Sequence, residues 1–115
     1  MNTYFVLFCV PATTMADWMQ KTSAQERKKQ SDQMMADWQR WMELHKGAIK
    51  DSGKPLGKTK RVTKWNVADV KNDLNYYLII EAESHDAAVA LVKDSPHFGI
   101  PDSYIEVMEI PHMGM

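Results

Sequence analysis

A single cysteine, Cys9, is all the thiol chemistry the chain holds, which excludes an internal disulfide and suits a reducing compartment. Long apolar runs are missing too. The nearest approach, Tyr4 to Val10, has no cation before it and ends at Pro11, too short for a signal-peptide core and far too short to cross a bilayer. The expectation is a cytoplasmic protein with no membrane association. Neither sign of charge dominates: 14 Lys and Arg against 15 Asp and Glu leave a net charge of -1, with no overall pull toward nucleic acid. GxGxxG, the P-loop GKS/T and GxSxG are absent, which removes the common dinucleotide, nucleotide and acyl-transfer signatures. Four histidines without CxxC, HxH or HExxH spacing argue against a metal site, and nothing implies a cofactor.

What is present is ordinary globular material, 44% apolar and 25% charged over 115 residues, enough for one core and one domain spanning 1–115. Tyr4 to Val10 is dense in aromatic and β-branched residues and reads as a central strand, apolar on both faces. Thr13 or Thr14 can cap a short helix running to about Lys21. Thr22 or Ser23 then caps a longer one, with Gln25 and Glu26 placed for a capping box. On that helix Met34, Trp38, Trp41, Met42, His45, Ala48 and Ile49 recur at three- and four-residue steps, a stripe that must be buried. Gly53 and Pro55 mark its end.

Leu56 to Trp65 reads as an exposed, strongly basic strand, Asn66 to Asn75 as a turn, and Tyr76 to Ile80 as a second strand without a polar face. Ser84 caps a helix from His85 to about Lys93; Pro96 and Pro101 bracket a loop, and Tyr104 to Ile110 forms the last strand. Strand, helices, strand, strand, helix, strand is the ferredoxin-like βαββαβ order: an α+β fold whose antiparallel sheet carries its helices on one face. Strands apolar on both sides need a cover on the other face, and a second copy of the sheet supplies it, so a homodimer is expected.

The strand Tyr76 to Glu81, the helix entry Glu83-Ser84-His85-Asp86-Ala87-Ala88, the turn Ser95-Pro96-His97-Phe98 and the strand Ile105-Glu106-Val107 together resemble the YCII-related family of small dimeric α/β-barrel proteins. Trp38 to Leu44, with Gly53-Lys54-Pro55-Leu56, is similar to the family's helix and second strand. The resemblance implies a small-molecule cavity between helix and sheet, with a His and an Asp as a catalytic pair. Asp51-Ser52-Gly53 resembles the acidic end of the helix, whereas the family's His position falls near Met42, and Asn66-Val67-Ala68-Asp69 stands where one branch carries Asp-Gly-Pro-Phe.

His45, central in the helical stripe, is the first candidate for acid-base chemistry, against the plainer reading of a core histidine bonded to a carbonyl. Asp51 is rotated off the stripe and would meet His45 only if the helix frayed. His97, in the Pro-bracketed loop, either faces a cleft or holds the loop by hydrogen bonds; with Glu106 and His45 it would form an acid-base group for a polar ligand. Lys58 and Arg61, with Asn72 and Asp73 across the turn, could hold an anionic substrate, or the lysines could simply discourage edge pairing. Trp38 and Trp41 offer an aromatic wall, or are core. Cys9 inside a buried strand does not suit a reactive thiolate. The readings are a small-molecule protein with cofactor-independent acid-base chemistry, a non-catalytic binding or regulatory module, and, less favoured, a cofactor-free monooxygenase acting on an aromatic compound. A small anionic or aromatic molecule is the expected ligand.

Overall fold

The computed structural model describes residues 1–112. Its main sheet has the order β2-β5-β1-β6, from β2 (Ile49–Asp51), β5 (Leu74–Ala82), β1 (Asn2–Cys9) and β6 (Tyr104–Ile110), with every neighbour antiparallel. Three helices, α1 (Ala12–Lys21), α2 (Ala24–Leu44) and α3 (His85–Val92), complete the ferredoxin-like α+β order. A separate hairpin, β3 (Thr59–Val62) and β4 (Val67–Val70), interrupts it.

Register explains which face is buried. Tyr4, Val6 and Phe8 of β1 lie opposite Ile80, Leu78 and Tyr76 of β5 and share one face, where Trp38, Trp41 and Met42 of α2 and Ala88, Leu91 and Val92 of α3 pack. Fully burying side chains of this size stabilises by roughly 1.5–3 kcal/mol each, so this layer holds the fold. The other face carries Phe5, Leu7, Tyr77, Ile79 and Met108, and no helix of the described residues covers it. No helix of the described residues is long and apolar enough to cross a membrane.

Three expectations from the sequence are corrected. The long helix stops at Leu44, with His45 as its C-cap, because Ile49 pairs with Ile80 and the Ala48 carbonyl accepts from the Glu81 N–H at 2.8 Å. Sheet pairing thus takes Ala48 and Ile49 from the helix. The basic segment does not supply the sheet's fourth strand; Thr59–Val62 pairs instead with Val67–Val70, inside the stretch read as a turn. The short helix begins after Pro11 without a side-chain cap, so neither Thr13 nor Thr14 caps it.

The capping box at α2 is present: Ser23 Oγ accepts from the Glu26 N–H at 3.1 Å, and Glu26 reaches back to the Ser23 N–H. Ser23→Ala is expected to cost about 1 kcal/mol, read as a lower urea midpoint with an unchanged slope. An unchanged midpoint would mean that packing alone sets where the helix starts.

Candidate functional site

The end of α2 delivers His45 to the turn that follows α3. Its Nε2 is buried, lies 4.0 Å from Asp94 Oδ1 and has no hydrogen-bond partner among the described residues. The same carboxylate oxygen accepts from Trp41 Nε1 at 3.3 Å, and the Trp41 ring packs against the imidazole with centroids 4.8 Å apart. One helical turn separates Trp41 from His45, so both side chains leave α2 on the same side. Asp94 itself is largely solvated, and the next residue, Ser95, contributes a second buried orphan, its Oγ. A buried polar atom without a partner is uncommon in a folded protein. One of them, His45 Nε2, faces the Asp94 carboxylate, and the other belongs to the next residue in the chain. With the proton on Nε2 facing Asp94, Nδ1 would be left as the lone-pair base of the ring.

The remaining candidates divide among other places. His97 is buried, and its Nε2 donates toward the carbonyls of Cys9 at 2.9 Å and Tyr104 at 3.2 Å, while Phe8 meets the ring edge-on. Both partners are carbonyls, so that nitrogen must carry the proton. This is the loop-holding role, and burial pushes the imidazole below its ordinary pKa despite those two bonds. Glu106 lies opposite Leu7 on the helix-free face, so it does not converge with His45. Trp38 and Trp41 meet edge to face at 5.5 Å inside the helix-side core, with Phe8 5.0 Å from Trp38.

Asp73 accepts from the Tyr104 hydroxyl at 2.7 Å, which with partial desolvation pushes that phenol up to about 12. Asn72 is committed to the hairpin base, donating to Thr59 Oγ1 at 3.1 Å and accepting from the Leu74 N–H at 3.0 Å. Lys58 and Asn72 line an open groove of about 380 Å³ beneath Met15 and Met19 of α1, with Lys71 also on its wall. Arg61 projects from the hairpin on the face opposite Lys60, which pairs with Asp69 at 2.6 Å. Burial, then the Glu106 charge, raises the Cys9 thiol, the wrong direction for a reactive thiolate. His85 is exposed yet bonds the Val107 carbonyl at 2.8 Å and packs beside Tyr4.

Sequence reasoning singled out His45 but neither Asp94, which the fold brings near it, nor Ser95, the residue after that acid. Asp51, the acid it weighed, instead accepts from the Gly53 N–H at 2.8 Å. The turn after a capped helix is where such an acid could have been sought, but only the packing of α2 against the segment that begins at Asp94 brings the groups together.

The molecule is thus a small ferredoxin-like α+β protein with a His–Asp–Trp cluster on the helix side of its sheet. No protein-family model matches the chain, and no curated protein matches it. Among solved structures it is similar to the 5-chloro-2-hydroxyhydroquinone dehydrochlorinase (TftG) from Burkholderia phenoliruptrix AC1100, in complex with 2,5-dihydroxybenzoquinone. The identity is 18% over 92% of this chain and 91% of that one, with a TM-score of 0.49.

Proposed function

We propose that the chain binds a small polar molecule against His45 and that the imidazole moves a proton on it, with the Asp94 carboxylate facing the opposite ring nitrogen and no cofactor taking part. The observation that carries this reading is the buried, partnerless His45 Nε2 facing Asp94 across 4.0 Å, with a second partnerless buried atom, Ser95 Oγ, on the next residue. Groups left unsatisfied at a cost of about 1–3 kcal/mol each are retained where something other than stability needs them. Trp41 packs against the imidazole and fixes its plane, which favours a small anionic or aromatic ligand.

The test is a panel of small aromatic acids and phenols, such as benzoate and 4-hydroxybenzoate, followed by the indole N–H resonance of Trp41. Binding should move that signal in the parent protein, and His45→Ala should weaken it at least tenfold while leaving the melting temperature nearly unchanged. Shifts confined to other residues would refute the reading.

A second reading, a non-catalytic binding module, draws on the groove at the hairpin base. Lys58 and Lys71 stand beside Met15, Met19, Leu56 and Val70 there, a charge-and-apolar combination suited to an anionic amphiphile. Shifts along this groove, insensitive to His45→Ala, would favour it.

In either case we read the protein as a homodimer through the helix-free sheet face. Phe5 stacks on Tyr77 at 5.6 Å there, beside Leu7, Ile79 and Met108, and contiguous apolar surface of this kind marks an interface.

A further inference from the structure

The hairpin β3–β4 is built as an arm. Its turn is closed by the Thr63 N–H donating to the Asn66 carbonyl at 2.8 Å and the Asn66 N–H donating to Thr63 Oγ1 at 3.1 Å. That turn holds Trp65 out at 84% exposure, with Lys64 Nζ 5.1 Å from its ring centroid. Behind the tip, Val62 and Val67 lie directly opposite each other at 73% and 59% exposure. A lone two-stranded hairpin is marginal in water, and one that presents a tryptophan and a valine pair needs something to bury them.

Charge says what. Between 54 and 71, six cations, Lys54, Lys58, Lys60, Arg61, Lys64 and Lys71, face one acid, Asp69, so only eight of the chain's 14 cations but 14 of its 15 acids lie elsewhere. The near-neutral total hides a basic arm on an acidic body. Part of that acid lies from 94 to 112, where Asp94, Asp102, Glu106 and Glu109 occur with no Lys or Arg. β6 lies in this segment at the edge of the sheet, with Tyr104, Met108 and Ile110 at 38–40% exposure on the helix-free face beside Glu106. Arm and edge strand therefore match twice, basic against acidic and apolar against apolar.

We propose that the arm of one copy seats on β6 of a second copy, with Trp65, Val62 and Val67 against Met108 and Ile110 and with Lys60, on the valine face of the arm, and Lys64, beside Trp65, next to Glu106. The contact is reciprocal under a two-fold axis, so one interface covers both arms and both edges. It rests on the dimer reading above and adds which elements hold it. An anionic membrane fits less well, because the body's excess of acid would oppose approach.

Sedimentation equilibrium of the full chain tests this. The parent protein is expected to be a dimer that weakens with salt. Val62→Thr/Trp65→Ser/Val67→Thr, which touches no core residue, should raise the dissociation constant at least tenfold with unchanged circular dichroism. Lys60→Glu/Lys64→Glu should also weaken the dimer, and adding Glu106→Lys should restore part of it. A dimer insensitive to the arm variants but broken by Phe5→Thr would overturn the arm contact and leave the sheet-face dimer standing. A monomer at every concentration would overturn both. If that monomer sedimented with phosphatidylserine vesicles, the arm would belong to a membrane.

Discussion

His97→Ala is expected to lower stability by about 3 kcal/mol, the sum of a cavity beside Phe8 and two buried carbonyls left without their donor. The imidazole links the end of β1 to the start of β6 through the carbonyls of Cys9 and Tyr104, and the Ser103 hydroxyl donates to the His97 carbonyl at 3.1 Å from the same loop. Thermal melting should show a drop of roughly 10 °C, since about 1 kcal/mol moves a domain of this size by some 4 °C. The same residue predicts a pH dependence. Its folded pKa lies below the ordinary 6.5, so just under that value the unfolded chain takes up a proton that the folded chain does not. Stability must then rise with pH through the interval below 6.5 and level off above it, and His97→Gln should remove that part of the slope. A melting temperature unmoved by His97→Ala would return the residue to the list of functional groups.

The second large effect is at Gly53. Its φ of +73° is left-handed, and a Cβ built there would stand 1.5 Å from the Tyr77 carbonyl oxygen and 2.7 Å from its carbon. Both are backbone atoms in β5, so relief requires the sheet edge to move. Gly53→Ala is expected to cost about 2 kcal/mol or more from strain and displaced pairing together. Because Asp51 and Tyr76 anchor the same turn through the Gly53 N–H and the Ser52 carbonyl, the loss should appear as faster hydrogen exchange along β2 as well as a lower midpoint. Protection there equal to that of the parent protein would contradict this.

Gly53 also shows how sequence reading succeeds and fails. The glycine was recognisable as a chain-reversing residue, but it ends a sheet-edge strand and not a helix. His45, Ala48 and Ile49 stay in phase with the helical stripe past Leu44, and periodicity has no means of registering that Ile49 finds Ile80 across the sheet. β1, β5 and β6 were legible from apolar density, with Pro11 and Pro101 helping to bound the first and last, and α3 from its capping Ser84 and inward apolar residues. β4 was not, since Val67-Ala68-Asp69-Val70 has too little apolar character to declare a strand before its partner is known. At the site, the stripe pointed to His45, and the sheet register then separated it from Glu106 by placing the two on opposite faces. The acid beside it, Asp94, comes from a turn distant in sequence, and only tertiary packing pairs them.

The central claim is that the charge of Asp94, facing His45 Nε2 across 4.0 Å, favours the proton on that nitrogen and leaves Nδ1 as the working base. A long-range proton–nitrogen correlation spectrum of the neutral ring, taken at about pH 8, reads this directly. The account predicts a single tautomer with the proton on Nε2, which becomes an averaged mixture in Asp94→Ala. A proton on Nδ1 in the parent protein, or a spectrum that Asp94→Ala leaves unaltered, would contradict it.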